Sequence, residues 1–131
     1  MTGWTFAGLV VAGGLGAGAR ALLDAWVMRR RSGPFPWGIL VVNVTGSFLL
    51  GLLTGIGADT LGAWTIVLGA GLLGGFTTFS AVSVDTVLLA RRGRARLAWA
   101  NLLGTALLSV TAAGLGILGG LGLAAVTGMG Y

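Results

Sequence analysis

Few side chains in this 131-residue chain can do chemistry, and most of those are neutral hydrogen-bond donors. Histidine, cysteine and lysine are absent, which removes the commonest general base, the commonest transition-metal ligand and every thiolate. Acid–base catalysis would rest on Asp24, Asp59 and Asp85 alone, so an enzyme is not expected. What remains is a set of amides and hydroxyls inside apolar runs. Asn43 stands alone in the run Ile39-Leu40-Val41-Val42-Asn43-Val44. Asn101, Thr105 and Ser109 recur every four residues, which places them on one helical stripe. Thr77, Thr78 and Ser80 form a third group. Each has a bland explanation: an amide gluing two helices, or hydroxyls bonded back to their own helix. Together they read as a track of donors with no acid at its centre, which suits a small, strongly hydrated anion. Arg20 also falls within an apolar stretch, as an anchor that snorkels toward a basic end or as a vestibule residue that attracts anions. Asp24, four residues on, is placed to pair with it.

The elements that must position these groups belong in lipid. Apolar residues make up 56% of the chain and charged ones only 8%, against roughly 25% charged in a soluble domain. A bilayer core takes about 20 apolar residues per helix. The sequence divides into spans at about 4–27, 37–56, 63–90 and 97–124, a single all-α, four-span membrane domain over 1–131. A cleaved signal peptide is not expected for the first span, whose charges lie at its far end. The third span is irregular. Gly69, Gly71, Gly74 and Gly75 precede Thr77 and Thr78, a composition that favours a break in mid-membrane. A continuous helix with small packing residues is the alternative.

Glycine reaches 26 residues, and in a bilayer small residues let helix backbones approach closely. The pairs Gly14 with Gly18, Gly51 with Gly55, Gly71 with Gly75 and Gly116 with Gly120 are the packing candidates. The run from Gly14 to Ala19 matches the spacing of a dinucleotide-binding loop, but it lacks the acidic partner and the strand–turn–helix setting that motif requires. The net charge of +5 comes from arginines beside apolar spans, so nucleic-acid binding is not expected.

Those arginines give a direction. Arg29, Arg30 and Arg31 fall in the first loop, and Arg91, Arg92, Arg94 and Arg96 in the third. The opposite side carries Asp59 and no arginine. The positive-inside rule puts the basic loops 28–36 and 91–96 in the cytoplasm and both termini outside the cell membrane.

The run Gly74-Gly75-Phe76-Thr77-Thr78-Phe79-Ser80 resembles the signature of the Fluc (CrcB) fluoride channels. The stretch from Gly38 to Phe48, containing Asn43, is similar to that family's second-span motif, and Gly13 through Leu23 to its first. The resemblance covers the whole chain in order and spacing. It implies four-span subunits assembled as antiparallel dimers with two pores, through which fluoride leaves the cell passively, limiting its toxicity. It also implies a structural, untransported Na+ at the dimer centre, held here by the backbone carbonyls of Gly74 and Thr77. In the same correspondence Phe79 is the first ring of a pore-lining aromatic pair, a ring edge being able to face a dehydrated anion. Asn43 is the pore asparagine, Ser80 and Asp85 take the places of a serine and an acidic residue, and Asn101, Thr105 and Ser109 form the fourth-span track.

The chain departs from the family pattern on this conducting track. Val82 stands where the second phenylalanine is usual, Ala81 where a threonine precedes it, Ile39 for a threonine after Gly38, and Asn101 for a frequent tyrosine. An antiparallel homodimer needs one sequence to insert both ways, and seven arginines on one side oppose that. The hypothesis that follows is a heterodimer with an oppositely oriented paralogue, a homodimer being the alternative. Two other functions fit a four-span chain: a small proton-coupled multidrug transporter, which needs a carboxylate deep in its first span where this chain offers only Asp24, and a non-conducting partner subunit.

Overall fold

Thr2 starts the first helix: its Oγ1 accepts from the Thr5 N–H at 3.3 Å, satisfying one of the donors a helix start leaves open. Helix α1 then runs Gly3–Arg30. It continues past the expected end at residue 27, and the Arg30 guanidinium packs over the Trp26 ring one turn back at 4.4 Å. After the Pro34–Pro36 stretch, α2 spans Trp37–Ile56, the bounds its apolar run implies, and ends at Gly57 with φ +97°. A short α3, Ala58–Leu61, makes the turn. The third apolar stretch is composite: a π-helical segment Ile66–Leu73, then α4 (Gly74–Phe76) and α5 (Phe79–Arg91). Helix α6 is the longest, Ala95–Thr127. The computed structural model describes residues 1–128, so the last three residues of the unit 1–131 lie outside it. The described residues form helices and turns and no strand.

Four stretches are long and apolar enough to cross a bilayer: Gly3–Arg30, Trp37–Ile56, Ile66–Arg91 and Ala95–Thr127. Large apolar side chains such as Leu22, Leu107 and Val126 point outward. With so much apolar surface outside, the interior is closed by backbone proximity. Helices α2 and α6 run parallel and nearly touch. A Cβ on Gly51 would meet the Ala113 carbonyl, and one on Gly55 the Ile117 carbonyl; Gly116 and Gly120 lie as close to the Phe48 and Leu52 carbonyls.

The second seam joins α1 to the third stretch. Gly16 abuts the Leu72 carbonyl, Gly75 the Gly13 carbonyl, and Gly71 stands 3.0 Å from the Leu9 carbonyl, measured from an ideal Cβ. Gly14 and Gly18 have open space instead. The α1 seam follows Leu9, Gly13 and Gly16, an i, i+4, i+7 stripe, so Gly14 and Gly18 fall on another face.

Candidate functional site

Helices α4 and α5 are separated by two residues in extended conformation, Thr77 (φ −77°, ψ 154°) and Thr78 (φ −152°, ψ 121°). An uninterrupted α-helix would direct the Thr78 N–H to the Gly74 carbonyl and the Ala81 N–H to the Thr77 carbonyl. Here the Thr78 N–H goes to Asn43 Oδ1 at 2.8 Å, and the Ala81 N–H goes to Thr78 Oγ1 at 3.3 Å, a side-chain cap that opens α5. Asn43 completes the exchange by donating from Nδ2 to the Thr78 carbonyl at 2.9 Å. Thr77 Oγ1 bonds back to the Leu73 carbonyl at 2.9 Å. Gly46, one turn beyond Asn43 on α2, makes room for the Thr77 methyl group. So α2 supplies both the clamp and the slot that hold this joint open.

Arg20 reaches the same place from α1. Its Nη1 donates to the Thr77 carbonyl at 3.4 Å. Its partner is this carbonyl rather than Asp24, whose Oδ1 packs against Gly38.

A cavity of about 260 Å³ opens beside the joint. Its walls are Asn43 and Ser47 from α2, Thr77 and Thr78 from the joint, Phe79 and Val82 from α5, and Leu102, Thr105, Ala106 and Ser109 from α6. Four residues singled out in the sequence for the anion path therefore meet here: Asn43, Phe79, Thr105 and Ser109. Phe79 is 75% exposed, so its ring sits at the rim and faces away from the single chain. Val82, at the position of the missing second ring, is 3% exposed.

The other three do not line the cavity. Asn101 is completely buried and ties α6 to α5, donating from Nδ2 to Thr86 Oγ1 at 3.0 Å and to the Val82 carbonyl at 3.3 Å. Thr105 Oγ1 donates to Asn101 Oδ1 at 3.4 Å, so the upper part of the α6 stripe is bonded to itself. Ser80 is exposed, 3.1 Å from Thr78 Oγ1. Asp85 is half-buried on α5, within the field of Asp24. Ser47 is the polar wall residue that sequence reasoning did not assign to the path. Its signal was its spacing of four from Asn43, which puts both on one face of α2.

A second cavity, about 410 Å³, lies on the other side of the joint, and both Gly74 and Thr77 reach it. Thr54 and Thr65 add hydroxyls to its wall, and Thr65 Oγ1 is buried without a partner among the described residues. No cluster of three acidic, histidine or cysteine side chains occurs among the described residues. A cation here would therefore meet carbonyl and hydroxyl oxygens, the ligands of hard ions.

Comparison with known proteins places this architecture. Residues 7–117 match the family described as CrcB-like protein, Camphor Resistance (CrcB). A protein of Leifsonia xyli subsp. xyli named fluoride-specific ion channel FluC 1 is 43% identical over 127 residues, covering 95% of this chain and 93% of its own. One of the same name from Symbiobacterium thermophilum is 46% identical over 123 residues, 91% of this chain and 98% of its own. A fluoride-specific ion channel FluC 2 from Cutibacterium acnes is 46% identical over 110 residues, 82% and 89% of the two chains.

Proposed function

The chain belongs to the CrcB-like family, and from that premise we propose that it is a multi-pass membrane subunit of a fluoride-specific ion channel, not an enzyme, that lets fluoride leave the cytoplasm down its gradient. The observation that carries the reading is the joint clamped by Asn43 at the edge of a cavity into which an amide and five hydroxyl residues reach between apolar side chains. A passing anion would exchange water for O–H and N–H donors, with no acidic side chain in the wall to repel it. The ring edge of Phe79 supplies a further positive surface at the rim.

The extended residues Thr77 and Thr78 interrupt the third span in mid-membrane, in this reading, to serve a structural Na+. Gly74 and Thr77 fit as its carbonyl ligands because the N–H groups that a helix would aim at them are committed elsewhere. When bound, the ion would supply a fixed positive charge beside the anion path. Broken helices commonly build ion sites in this way.

The subunit works as half of an antiparallel dimer, with loops 28–36 and 91–96 in the cytoplasm and both termini outside. Phe79, exposed on the single chain, gains a partner surface in such a pair. The one-sided arginines favour a related subunit of opposite orientation over a second copy of this chain. Reconstituted vesicles loaded with fluoride and followed by a fluoride electrode test the reading. Release from this chain, alone or paired with such a relative, is the expected result. No release in either case overturns the channel reading.

A further inference from the structure

A donor census of the smaller cavity singles out two hydroxyls. Six hydroxyls bond back to the carbonyl four residues earlier, among them Thr54 to Leu50 at 2.8 Å, Thr86 to Val82 at 2.7 Å and Thr111 to Leu107 at 2.8 Å. That habit is the default for Ser and Thr in apolar helices. In the cavity wall, Thr77 follows it, Thr78 Oγ1 pairs with Ser80 Oγ and caps Ala81, Thr105 is committed to Asn101, and Asn43 has committed its Oδ1 and one N–H to Thr78. Ser109 Oγ is buried with no partner among the described residues, and Ser47, half-buried, makes no hydrogen bond among them.

The register of the helices brings these two together. Gly51 on α2 meets the Ala113 carbonyl on α6, and the helices run parallel. One turn back from each is Ser47 on α2 and Ser109 on α6, and both line the same cavity. A buried hydroxyl without an acceptor is destabilising unless something else takes its proton.

We infer that Ser47 is a further fluoride-contacting residue, donating together with Ser109 to the anion between α2 and α6. This rests on the channel reading above and adds to it a residue that acts from the second span. The spare N–H of Asn43, one turn away on the same face, completes a three-donor wall around the ion. A hydroxyl pair of this kind favours a small, hard anion over chloride, because it bonds most strongly to concentrated charge.

The test compares Ser47→Ala with Ser47→Thr in reconstituted vesicles, and measures fluoride binding to the purified proteins by calorimetry. Removing one hydrogen bond to a charged group should slow fluoride release about tenfold or more and weaken binding similarly, at an unchanged melting temperature. Ser47→Thr keeps the hydroxyl and should restore both. Release and binding by Ser47→Ala equal to wild type overturn the inference. If wild-type protein binds fluoride but releases none, the conduction reading fails, and loss of that binding in Ser47→Ala still upholds the Ser47 contact.

Discussion

The side-chain amide of Asn43 replaces a peptide group for Thr78: it accepts from the Thr78 N–H at 2.8 Å and donates to the Thr78 carbonyl at 2.9 Å. Both backbone groups of an extended residue between two helices are thereby satisfied by one side chain from a neighbouring helix. In an apolar surrounding that service is needed, since an unpaired peptide group there costs several kcal/mol. The joint is therefore a property of two segments, 35 residues apart in sequence.

Asn43→Ala should remove both bonds at once. Leaving two partly buried peptide groups unpaired predicts a stability loss of about 1–3 kcal/mol for each. Asn43→Asp keeps the acceptor for the Thr78 N–H but sets a carboxylate oxygen against the Thr78 carbonyl in an apolar surrounding, so it should lose at least as much stability as alanine. Chemical denaturation in detergent, followed by tryptophan fluorescence, checks that wild type is the most stable of the three. Equal stability of Ala and wild type would remove the clamp from the account.

The glycine seams make a paired prediction. Gly51→Ala and Gly116→Ala drive a methyl group into the Ala113 and Phe48 carbonyls, whereas Gly104→Ala and Gly122→Ala meet nothing within 4 Å. The first two should cost about 1–3 kcal/mol through overpacking. The second two should be neutral or stabilising, because alanine is the better helix former by about 1 kcal/mol. Thermal melts of the four variants in one detergent decide it.

How much of this was legible in the sequence depends on the periodicity that each feature leaves behind. The α2 bounds at 37 and 56 follow from a proline before and a glycine after an apolar run, and the structure keeps them. The α2–α6 seam was visible as two small-residue pairs, Gly51 with Gly55 and Gly116 with Gly120. Gly14 and Gly18 have the same spacing but face open space, since a spacing does not say which face of a helix meets a neighbour. The π-helical winding of Ile66–Leu73 leaves no mark in composition beyond its glycines. Asn43 was legible as a buried amide that needs a partner, but its partner was not, because a bond to Thr78 depends on how α2 packs beside the joint. Asn101 illustrates the same limit: Thr105 and Ser109 line the cavity, while Asn101 on the same stripe holds two helices together.

Asn101 should accordingly behave as a structural residue. Asn101→Ala removes its bonds to Thr86 and to the Val82 carbonyl and leaves Thr105 Oγ1 without its acceptor. A stability loss of about 1–3 kcal/mol is expected. Fluoride release per folded protein should stay within about threefold of wild type, since Thr86 continues to bond the Val82 carbonyl. A selective collapse of release at intact stability would instead put Asn101 in the ion path.

Orientation can be tested on its own terms. With seven arginines in loops 28–36 and 91–96 and none on the other side, a reporter fused after Tyr131 should report an external terminus in nearly every molecule. Changing Arg91, Arg92, Arg94 and Arg96 to glutamine leaves only the first loop biased and should produce a measurable fraction of inverted chains. Comparable amounts of both orientations in the wild-type protein would undercut the heterodimer proposal.

The last prediction concerns Arg20 and the proposed sodium site, which share the Thr77 carbonyl. Arg20 Nη1 donates to that oxygen at 3.4 Å, so a cation bound there would have a positive neighbour competing for the same lone pairs. Two effects on Na+ affinity follow, and they have the same sign. Arg20→Gln removes the repulsion between like charges, and it weakens the donor that competes for the carbonyl. If Na+ binds the folded state, replacing it by a bulky organic cation should lower the melting temperature of wild-type protein. The stabilisation should grow with concentration, reaching about 2.7 kcal/mol at a hundredfold excess over the dissociation constant. In Arg20→Gln the same stabilisation should appear at lower Na+, whereas Thr77→Pro, which distorts the joint and cannot donate its N–H to Leu73, should abolish it. A melting temperature indifferent to Na+ in all three proteins would remove Gly74 and Thr77 as sodium ligands.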